Sequence, residues 1–255
     1  MTHQTKQRLT RREKREIIQR QINEAGINLG KLNFDLQSVH PLTDNQHLIF
    51  NGWEDNKNLL MTGTAGTGKS FLALYLAMRD VMEDPTHTRV VIVRSVVPTR
   101  GVGFLPGNTK EKTKVYEAPY YSIFNELFGR GDAYEYMKNN KIVEFMSTSF
   151  VRGITINDAV VVIDEIQNMT ASELHSVFTR IGKNCRVIIA GDIKQNDLNK
   201  NREMSGFADF VRVLQNMASF EFIEFTTQDV VRSSLVRDYI IARDRLENEG
   251  IISPL

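Results

Sequence analysis

The sequence predicts an α/β fold in which a mainly parallel sheet lies between two layers of helices. Three uninterrupted apolar segments, at 90–93, 159–163 and 187–190, have the length and composition of strands that are buried on both faces. They alternate with helix-length segments, as in folds built from right-handed strand-helix-strand crossovers. A glycine-rich loop at 63–68 joins an early strand to a helix. Because such folds bind ligands at the carboxyl ends of their strands, functional residues are expected there.

Length and composition favour a single core domain without a strongly charged surface. The chain has 255 residues, of which 41% are hydrophobic, and a formal net charge of +1. Any contact with nucleic acid must therefore come from a local basic patch. The single cysteine, Cys185, cannot form an internal disulfide, and no N-terminal apolar stretch resembles a signal peptide or a membrane span. We therefore expect a cytoplasmic protein that does not contact a membrane.

Residues 1–42 are expected to precede the core as a basic helix and a connector. Lysine and arginine residues strongly outnumber glutamates up to about Gln21, which predicts a basic helix. This helix is either a solvated terminal helix or an arm that binds RNA. Residues 22–42 lack periodicity, and Thr43 to Gln46 is typical of a helix start. The core is expected to span residues 43–255.

Residues 63–70 read Gly-Thr-Ala-Gly-Thr-Gly-Lys-Ser, a full phosphate-binding loop. A short apolar strand at 58–62 precedes it, and a helix at 71–82 follows it. The three glycines let successive N–H groups face an anion, and the helix adds the positive end of its dipole. Lys69 would reach the β- and γ-phosphates, while the Ser70 hydroxyl would bind Mg²⁺. The predicted nucleotide-binding residues are Gly63, Thr64, Ala65, Gly66, Thr67, Gly68, Lys69, Ser70 and Phe71.

The predicted elements after the loop follow from apolar periodicity and from turn residues. Arg89 to Ser95 is a strand, whereas the glycine- and proline-containing stretch 98–121 is expected to break regularity, as long functional loops do. Thr170 and Glu173 form a capping box that begins a helix ending at Gly182. The remaining elements are helices at 120–128, 133–138, 204–217 and 234–249 and strands at 141–146 and 220–225.

Polar residues that follow two of the buried strands have the chemistry of phosphate ester hydrolysis. Asp164 ends a strand expected to neighbour that of the phosphate-binding loop, and it would hold Mg²⁺ through water together with Ser70. Glu165 would orient and deprotonate the attacking water, which favours hydrolysis over transfer to a small acceptor. Gln195 would contact the γ-phosphate or that water. Since the histidines lack metal-ligand spacing, Mg²⁺ held with the nucleotide is the expected metal.

Two sets of cations complete the candidate residues. Arg152, Arg180 and Arg232 could each neutralise charge in the phosphoryl-transfer transition state, and the residues alone do not choose among them. Cations also alternate with aromatic rings near 98–121, which favours stacking and backbone contact with single-stranded RNA, although a subunit-contact loop would have the same composition. This second set contains Arg100, Lys110, Lys112 and Lys114 beside Phe104, Tyr116, Tyr120 and Tyr121.

Seven short motifs follow one another between about residues 43 and 245. They are 63–70, Gly103-Phe-Leu-Pro-Gly107, Arg152-Gly153, Asp164-Glu-Ile-Gln167, Thr179-Arg-Ile-Gly182, Gly191-Asp-Ile-Lys-Gln195 and Asp229-Val-Val-Arg-Ser233. The phosphate-binding loop is common to many proteins, but the order of the set is specific, and this ordered set resembles the PhoH family of phosphate-starvation-inducible ATPases. Two positions depart conservatively from the family pattern, with Ile166 where alanine is usual and Ser70 where threonine is usual.

The resemblance implies a P-loop NTPase with a RecA-like three-layer αβα core, similar to the first motor domain of superfamily-one helicases. It implies that Gln46 reads the adenine edge and that Gln195 contacts the γ-phosphate. Arg232 resembles an arginine that contacts the γ-phosphate in those motors. Family members are associated with hexameric rings, so Arg232, or Arg180, could also act across a subunit boundary.

Two function classes remain after the motifs are considered. One is a ring-forming ATPase that acts on or remodels single-stranded RNA as a helicase-like motor. The other is an ATP-gated scaffold that changes shape for a partner protein. A GTP switch is disfavoured because neither Asn56-Lys57-Asn58-Leu59 nor Asn199-Lys200-Asn201-Arg202 carries the aspartate of a guanine motif. No acceptor site or lid for a small-molecule kinase is identifiable.

Overall fold

The structure, a computed structural model, describes residues 34–96, 109–192 and 203–253. Its centre is a six-stranded sheet with the strand order β3-β2-β4-β5-β1-β6, in which every pair of neighbours is parallel. The predicted parallel sheet is thus confirmed. The strands are β1 Asn58–Gly63, β2 Arg89–Arg94, β3 Val143–Ser147, β4 Ala159–Ile163, β5 Cys185–Ala190 and β6 Phe220–Phe225.

Helices cover both faces of this sheet, which gives the predicted three-layer αβα architecture. Helices α1 to α4 form one buried cluster with one face, and α5 to α7 form a second cluster with the other face. Helix α8 packs against a 3₁₀ helix, Thr227–Asp229. The α-helices are α1 Asp44–Glu54, α2 Lys69–Glu83, α3 Thr109–Phe128, α4 Ala133–Asn139, α5 Thr148–Val151, α6 Ala171–Phe178, α7 Glu203–Gln215 and α8 Ser234–Asn248.

The order of the strands corrects one expectation about the site. β4 carries the acidic pair at its carboxyl end, but it does not neighbour β1. β5 lies between them, paired with β1 through Leu59 and Ile188 and with β4 through Val162 and Ile188. Sequential strands are often adjacent in such sheets, and this sheet departs from that tendency. The end of β5, at Gly191 and Asp192, is therefore placed between the phosphate-binding loop and the acidic pair.

Helix α3 corrects the expectation of irregular structure through Tyr121. It begins at Thr109 and continues to Phe128, with Pro119 in its interior. Proline removes one helical hydrogen bond and normally costs about 3 kcal/mol in a helix interior. Here the helix also buries Tyr120, Phe124 and Leu127, each at most 1% exposed, against the sheet. Burial of each large side chain contributes about 1.5–3 kcal/mol, so the tertiary packing outweighs the local penalty.

Gly182 does not end helix α6 as predicted. The capping box of Thr170 and Glu173 is confirmed, but the helix stops at Phe178. Beyond it the chain pairs with Ile156, whose N–H donates to the Arg180 carbonyl and whose carbonyl accepts from the Gly182 N–H. A Cβ on Gly182 would lie 2.8 Å from the Ile156 carbonyl oxygen. Close approach of two backbones therefore explains this glycine.

Several predicted features lie outside the described residues. They are the basic helix before residue 22, Arg100, Phe104 and Gln195. Among the helices that the structure describes, none combines the length and apolar character needed to cross a lipid bilayer. Cys185 is half-buried at the start of β5, and burial raises the pKa of its thiol, as expected for a structural cysteine.

Candidate active site

The phosphate-binding loop connects β1 to α2 and depends on glycines at its bends. Gly63, Gly66 and Gly68 all have positive φ angles, of 103°, 78° and 85°. This left-handed region is open to glycine and strained for other residues. Gly68 is the N-cap of α2 and supplies no side-chain cap. The backbone N–H groups in the first turn of α2 therefore have no side-chain cap and can donate to an anion, as is typical of phosphate sites.

Gly63 offers a direct test of this loop geometry. A Cβ at this position would lie 2.0 Å from the Phe225 carbonyl oxygen, which accepts a hydrogen bond from the Thr64 N–H. We expect Gly63→Ala to lower the midpoint of thermal unfolding by at least about 5 °C, since a clash of about 2 kcal/mol has this effect in a domain of similar size. Gly131→Ala is the matched control, because nothing lies within 4 Å of its Cβ position. Equal unfolding midpoints for the two variants would contradict the described loop.

Lys69 begins helix α2, and its ammonium group lies inside the loop. Nζ donates to the carbonyl oxygens of Gly63, at 2.8 Å, and Thr64, at 2.7 Å. Burial lowers the pKa of Lys69, and the nearby carboxylates of Asp192, Glu165 and Asp164 oppose that effect. The ammonium therefore faces the predicted acidic residues from the other side of one cleft.

Both carboxylate oxygens of Asp164 are hydrogen bonded, each to a different element. Oδ1 accepts from the Ser70 hydroxyl of α2 at 2.8 Å. Oδ2 accepts from the Tyr120 hydroxyl of α3 at 3.0 Å. Asp164 is 3% exposed, so these two hydroxyls fix a carboxylate that is almost removed from bulk water. Ser70 and Asp164, the two predicted magnesium ligands, are thus in direct contact although 94 positions separate them.

Glu165 is held in a constrained conformation next to Asp164. Its φ angle of 54° is uncommon for a residue other than glycine, and such strain is concentrated at functional sites. Burial raises the pKa of Glu165, and the charge of Asp164 raises it further. The Gln167 side chain donates to its carboxylate and accepts from the Asp192 N–H. Gln167 therefore links the candidate base to the end of β5.

Arg232 also lines the cleft of about 600 Å³ that contains Lys69, Asp164 and Glu165. It belongs to residues 230–232, which follow the loop closely: the Val231 N–H donates to the Gly66 carbonyl at 3.2 Å. A Cβ on Gly66 would lie 3.2 Å from the Arg232 Cγ.

Asp229 holds this segment in place. Its Oδ2 accepts from the Asn45 side chain at 2.8 Å and from the Thr226 N–H at 2.9 Å. Burial opposes ionisation of Asp229, but these hydrogen bonds and one from Thr43 outweigh burial and lower its pKa. The carboxylate thereby ties the start of α1 to the segment that carries Arg232.

Gln46 lines the same cleft and is 3% exposed. Its Oε1 accepts from the Leu42 N–H at 2.8 Å, and its Nε2 donates to the Thr67 carbonyl at 3.2 Å. Each amide atom can make one further hydrogen bond, so the side chain retains a donor and an acceptor for a ligand. Phe71 also lines this cleft.

The other two candidate arginines do not join this cluster within one chain. Arg180 lies near the amino end of β4, since its carbonyl pairs with Ile156. That edge is opposite the one that carries Asp164, and a strand of this length spans roughly 16 Å. Arg152 is exposed after α5 and does not line the cleft.

Three residues of the site received no role from the sequence, and a fourth, Tyr120, received a different one. Arg94, at the end of β2, acts electrostatically on Tyr120, Asp164 and Glu165. Asp192 is 6% exposed and lines the cleft. Gln167 and Asp192 each belong to one of the motifs that resemble the family, and that membership is the signal that could have identified them. Arg94 had no such signal, because only the tertiary packing brings it to Asp164. Tyr120 was expected to stack on RNA, but its ring is 1% exposed and its hydroxyl donates to Asp164, so that expectation is wrong.

Comparison with known proteins identifies similar sequences over most of the chain. A family model described as PhoH-like protein matches residues 38–243. A PhoH-like protein of Mycobacterium tuberculosis H37Rv is 31% identical over 215 residues, covering 84% of this chain and 60% of the relative. The PhoH-like protein of Bacillus subtilis is 32% identical over 210 residues, covering 82% and 65%. Protein PhoH of Escherichia coli K12 is 32% identical over 185 residues, covering 71% and 51%. The chain thus spans only part of each relative.

Solved structures that resemble the chain are more distant. A large terminase from a thermophilic bacteriophage, in complex with ADP, is 12% identical, with a TM-score of 0.45, covering 78% of this chain and 49% of the terminase. A Pif1 helicase from Candida albicans is 15% identical, with a TM-score of 0.35, covering 75% of this chain and 42% of the helicase.

Proposed function

The chain belongs to the PhoH-like family, and from this premise we propose that it hydrolyses ATP to ADP and phosphate with the aid of Mg²⁺. The observation that carries the proposal is the 2.8 Å hydrogen bond between Ser70 and Asp164. It joins the phosphate-binding loop to the acidic pair in one cleft, beside Lys69 and Glu165. These are the parts that phosphoryl transfer to water requires.

The residues present fit magnesium as the metal. Mg²⁺ prefers oxygen ligands and is commonly held by one or two protein groups together with phosphate oxygens. The Ser70 hydroxyl and the Asp164 carboxylate supply such oxygens, and they already lie within hydrogen-bonding distance of each other. When bound, Mg²⁺ neutralises charge that develops on the phosphate oxygens. We assign Ser70 and Asp164 to hold it.

Lys69 and the loop backbone bind the phosphates in this proposal. The ammonium group now donates to the Gly63 and Thr64 carbonyls, and phosphate oxygens, being charged, are stronger acceptors. We infer that Lys69 exchanges these carbonyls for β- and γ-phosphate oxygens. Gln46 uses its remaining donor and acceptor on the adenine edge, while Phe71 contacts the same nucleotide.

Glu165 acts as the general base. Because its pKa is raised, the ionised carboxylate is a stronger proton acceptor than an exposed glutamate. Gln167 orients it toward the attacking water. The proton of that water passes to the carboxylate as its oxygen bonds to the γ-phosphorus, and the bond from that phosphorus to the bridging oxygen breaks, so that ADP leaves. Arg232 stabilises the transferred phosphoryl group, and Gln195 contacts the γ-phosphate. We propose that Arg180 acts on the site of a neighbouring subunit in a hexameric ring. The family resemblance supports this assignment.

The proposed target is single-stranded RNA in a cytoplasmic setting, with the enzyme acting as a helicase-like motor. Lys110, Lys112 and Lys114 all lie in the first two turns of α3, and the Lys114 side chain is exposed. Positions 110, 112 and 114 fall within about 6 Å along the helix axis. Such spacing suits contact with consecutive phosphates of a flexible strand.

The ATPase rate should rise when single-stranded RNA is added, and the same sample should have the mass of a hexamer. Replacing the three α3 lysines with alanine should weaken RNA binding and reduce the slope of log affinity against log salt by about 2, since each phosphate contact contributes about 0.7. Lys183→Ala, an exposed lysine at the opposite edge of the sheet, is the control. Turnover that neither RNA nor DNA changes would favour the ATP-gated scaffold instead.

A further inference from the structure

Helix α3 reaches the acidic pair through one buried hydroxyl. Tyr120 is 1% exposed, and its ring packs against Phe145 and Tyr134 with centroid distances of 5.9 and 6.3 Å. The ring alone would fill this space. The hydroxyl adds a hydrogen bond to Asp164 Oδ2 at 3.0 Å, which fixes the oxygen that Ser70 leaves free.

Arg94 attaches the same helix to the sheet. β2 and β4 are paired at Val93 and Ile163, and the Asp164 N–H donates to the Val93 carbonyl at 3.0 Å, so Arg94 lies beside Asp164. Its guanidinium acts electrostatically on the Tyr120 side chain and donates to the Tyr116 carbonyl at 3.5 Å. Burial would lower the pKa of Arg94, but Tyr120 and the two carboxylates raise it, so the cation is retained.

Pro119 weakens α3 immediately before Tyr120. Proline has no N–H, so the Val115 carbonyl receives no helical hydrogen bond from position 119. The turn that ends in Tyr120 is consequently less constrained by its own backbone. Arg94 is hydrogen bonded to the start of that turn and acts electrostatically on its end. The lysine-bearing start of the helix lies on the other side of this turn, with Lys114 about 9 Å along the axis from Tyr120.

We propose that Tyr120 and Arg94 are positioning residues that couple RNA contact at the start of α3 to Asp164. A strand bound to the α3 lysines biases the position of the helix about Pro119. The Tyr120 hydroxyl then holds or releases Asp164 Oδ2 and so changes the affinity of the site for a magnesium nucleotide. This inference rests on the proposed nucleotide site, and it adds the residues through which the two ligands influence each other.

The test is a binding cycle that does not require turnover. The affinity for a fluorescent, slowly hydrolysed ATP analogue with Mg²⁺ is measured with and without a saturating oligouridine RNA. We expect RNA to change this affinity at least about fivefold in the wild-type protein, the lower end of typical coupling between sites. For Tyr120→Phe, the ratio of nucleotide affinity with RNA to nucleotide affinity without RNA should fall to within about twofold of one. The affinity of this variant for RNA in the absence of nucleotide should stay constant. Arg94→Gln, which removes the cation that acts on Tyr120, should have the same effect on this ratio.

Tyr134→Phe is the matched control. It removes a hydroxyl from an equally buried tyrosine of the same aromatic group, but that hydroxyl donates to Glu117 at 2.9 Å rather than to Asp164. Tyr134→Phe should keep the wild-type ratio of nucleotide affinity with RNA to nucleotide affinity without RNA. Wild-type coupling in Tyr120→Phe, or no coupling in the wild-type protein, would overturn the inference, even if the protein hydrolyses ATP. Intact coupling in a protein that does not hydrolyse ATP would instead contradict the proposed function alone.

Discussion

Lys69→Ala should abolish productive ATP binding and leave no measurable hydrolysis. The change removes the only side-chain cation within the described part of the phosphate-binding loop, together with its hydrogen bonds to Gly63 and Thr64. Hydrogen bonds from a charged donor contribute about 1.5–3 kcal/mol, so nucleotide affinity should fall about 10- to 100-fold. Loss of a preorganised donor to the transferred group should reduce turnover by a further factor of about 10²–10³.

Isothermal titration with ATP and Mg²⁺, followed by phosphate release at saturating ATP, separates these two effects. The fold should survive, because burial already disfavours the ammonium group, as its lowered pKa shows. Lys183→Ala serves as control, since that exposed lysine lies at the opposite edge of the sheet. Hydrolysis by Lys69→Ala at more than about a tenth of the wild-type rate would remove Lys69 from the mechanism.

Glu165→Gln should bind ATP nearly as well as the wild-type protein but lose about two to four orders of magnitude in turnover. Removal of a positioned base has an effect of this size. Glutamine keeps the length of the side chain and one oxygen that can accept from Gln167, so the local structure is preserved. Single-turnover phosphate release measures the chemical step directly.

Glu126→Gln makes the same change of charge in the same cleft, on α3, far from the acidic pair in sequence. We expect its turnover to stay within about threefold of wild type. If Glu165→Gln and Glu126→Gln hydrolyse ATP equally well, neither carboxylate is the base, and the water must be activated elsewhere.

Local patterns were sufficient to predict the strands and the phosphate-binding loop. The residues of β4 are all buried, as their unbroken apolar run indicates, and the capping box at Thr170 formed as expected. The same patterns placed Ser70 and Asp164 at one edge of the sheet, because parallel strands share that edge. Such inferences depend only on neighbours in sequence and on the rules of parallel sheets.

Predictions that depended on long-range packing were less complete. Pro119 was interpreted as part of an irregular stretch, since the burial of Tyr120 and Phe124 that stabilises α3 is not visible in a local window. The contact between Tyr120 and Asp164 spans 44 positions, and no periodicity indicates it. Arg180 belongs to one of the motifs that resemble the family. It nevertheless lies at the edge of the sheet away from the cleft, because the chain beyond α6 pairs with Ile156.

The position of β1 has a consequence for synthesis. It is the first strand along the described chain, yet its neighbours are the last two, β5 and β6. Chains emerge from the ribosome beginning at the N-terminus, and pairings between distant segments are slow to form. The phosphate-binding loop therefore lacks both flanking strands until Ala190 has been translated and lacks β6 until Phe225 has been translated, and Arg232 arrives later still. A nascent chain cannot assemble the proposed ATP site early, so a nucleotide bound there would stabilise the finished protein but could not guide the first steps of its folding.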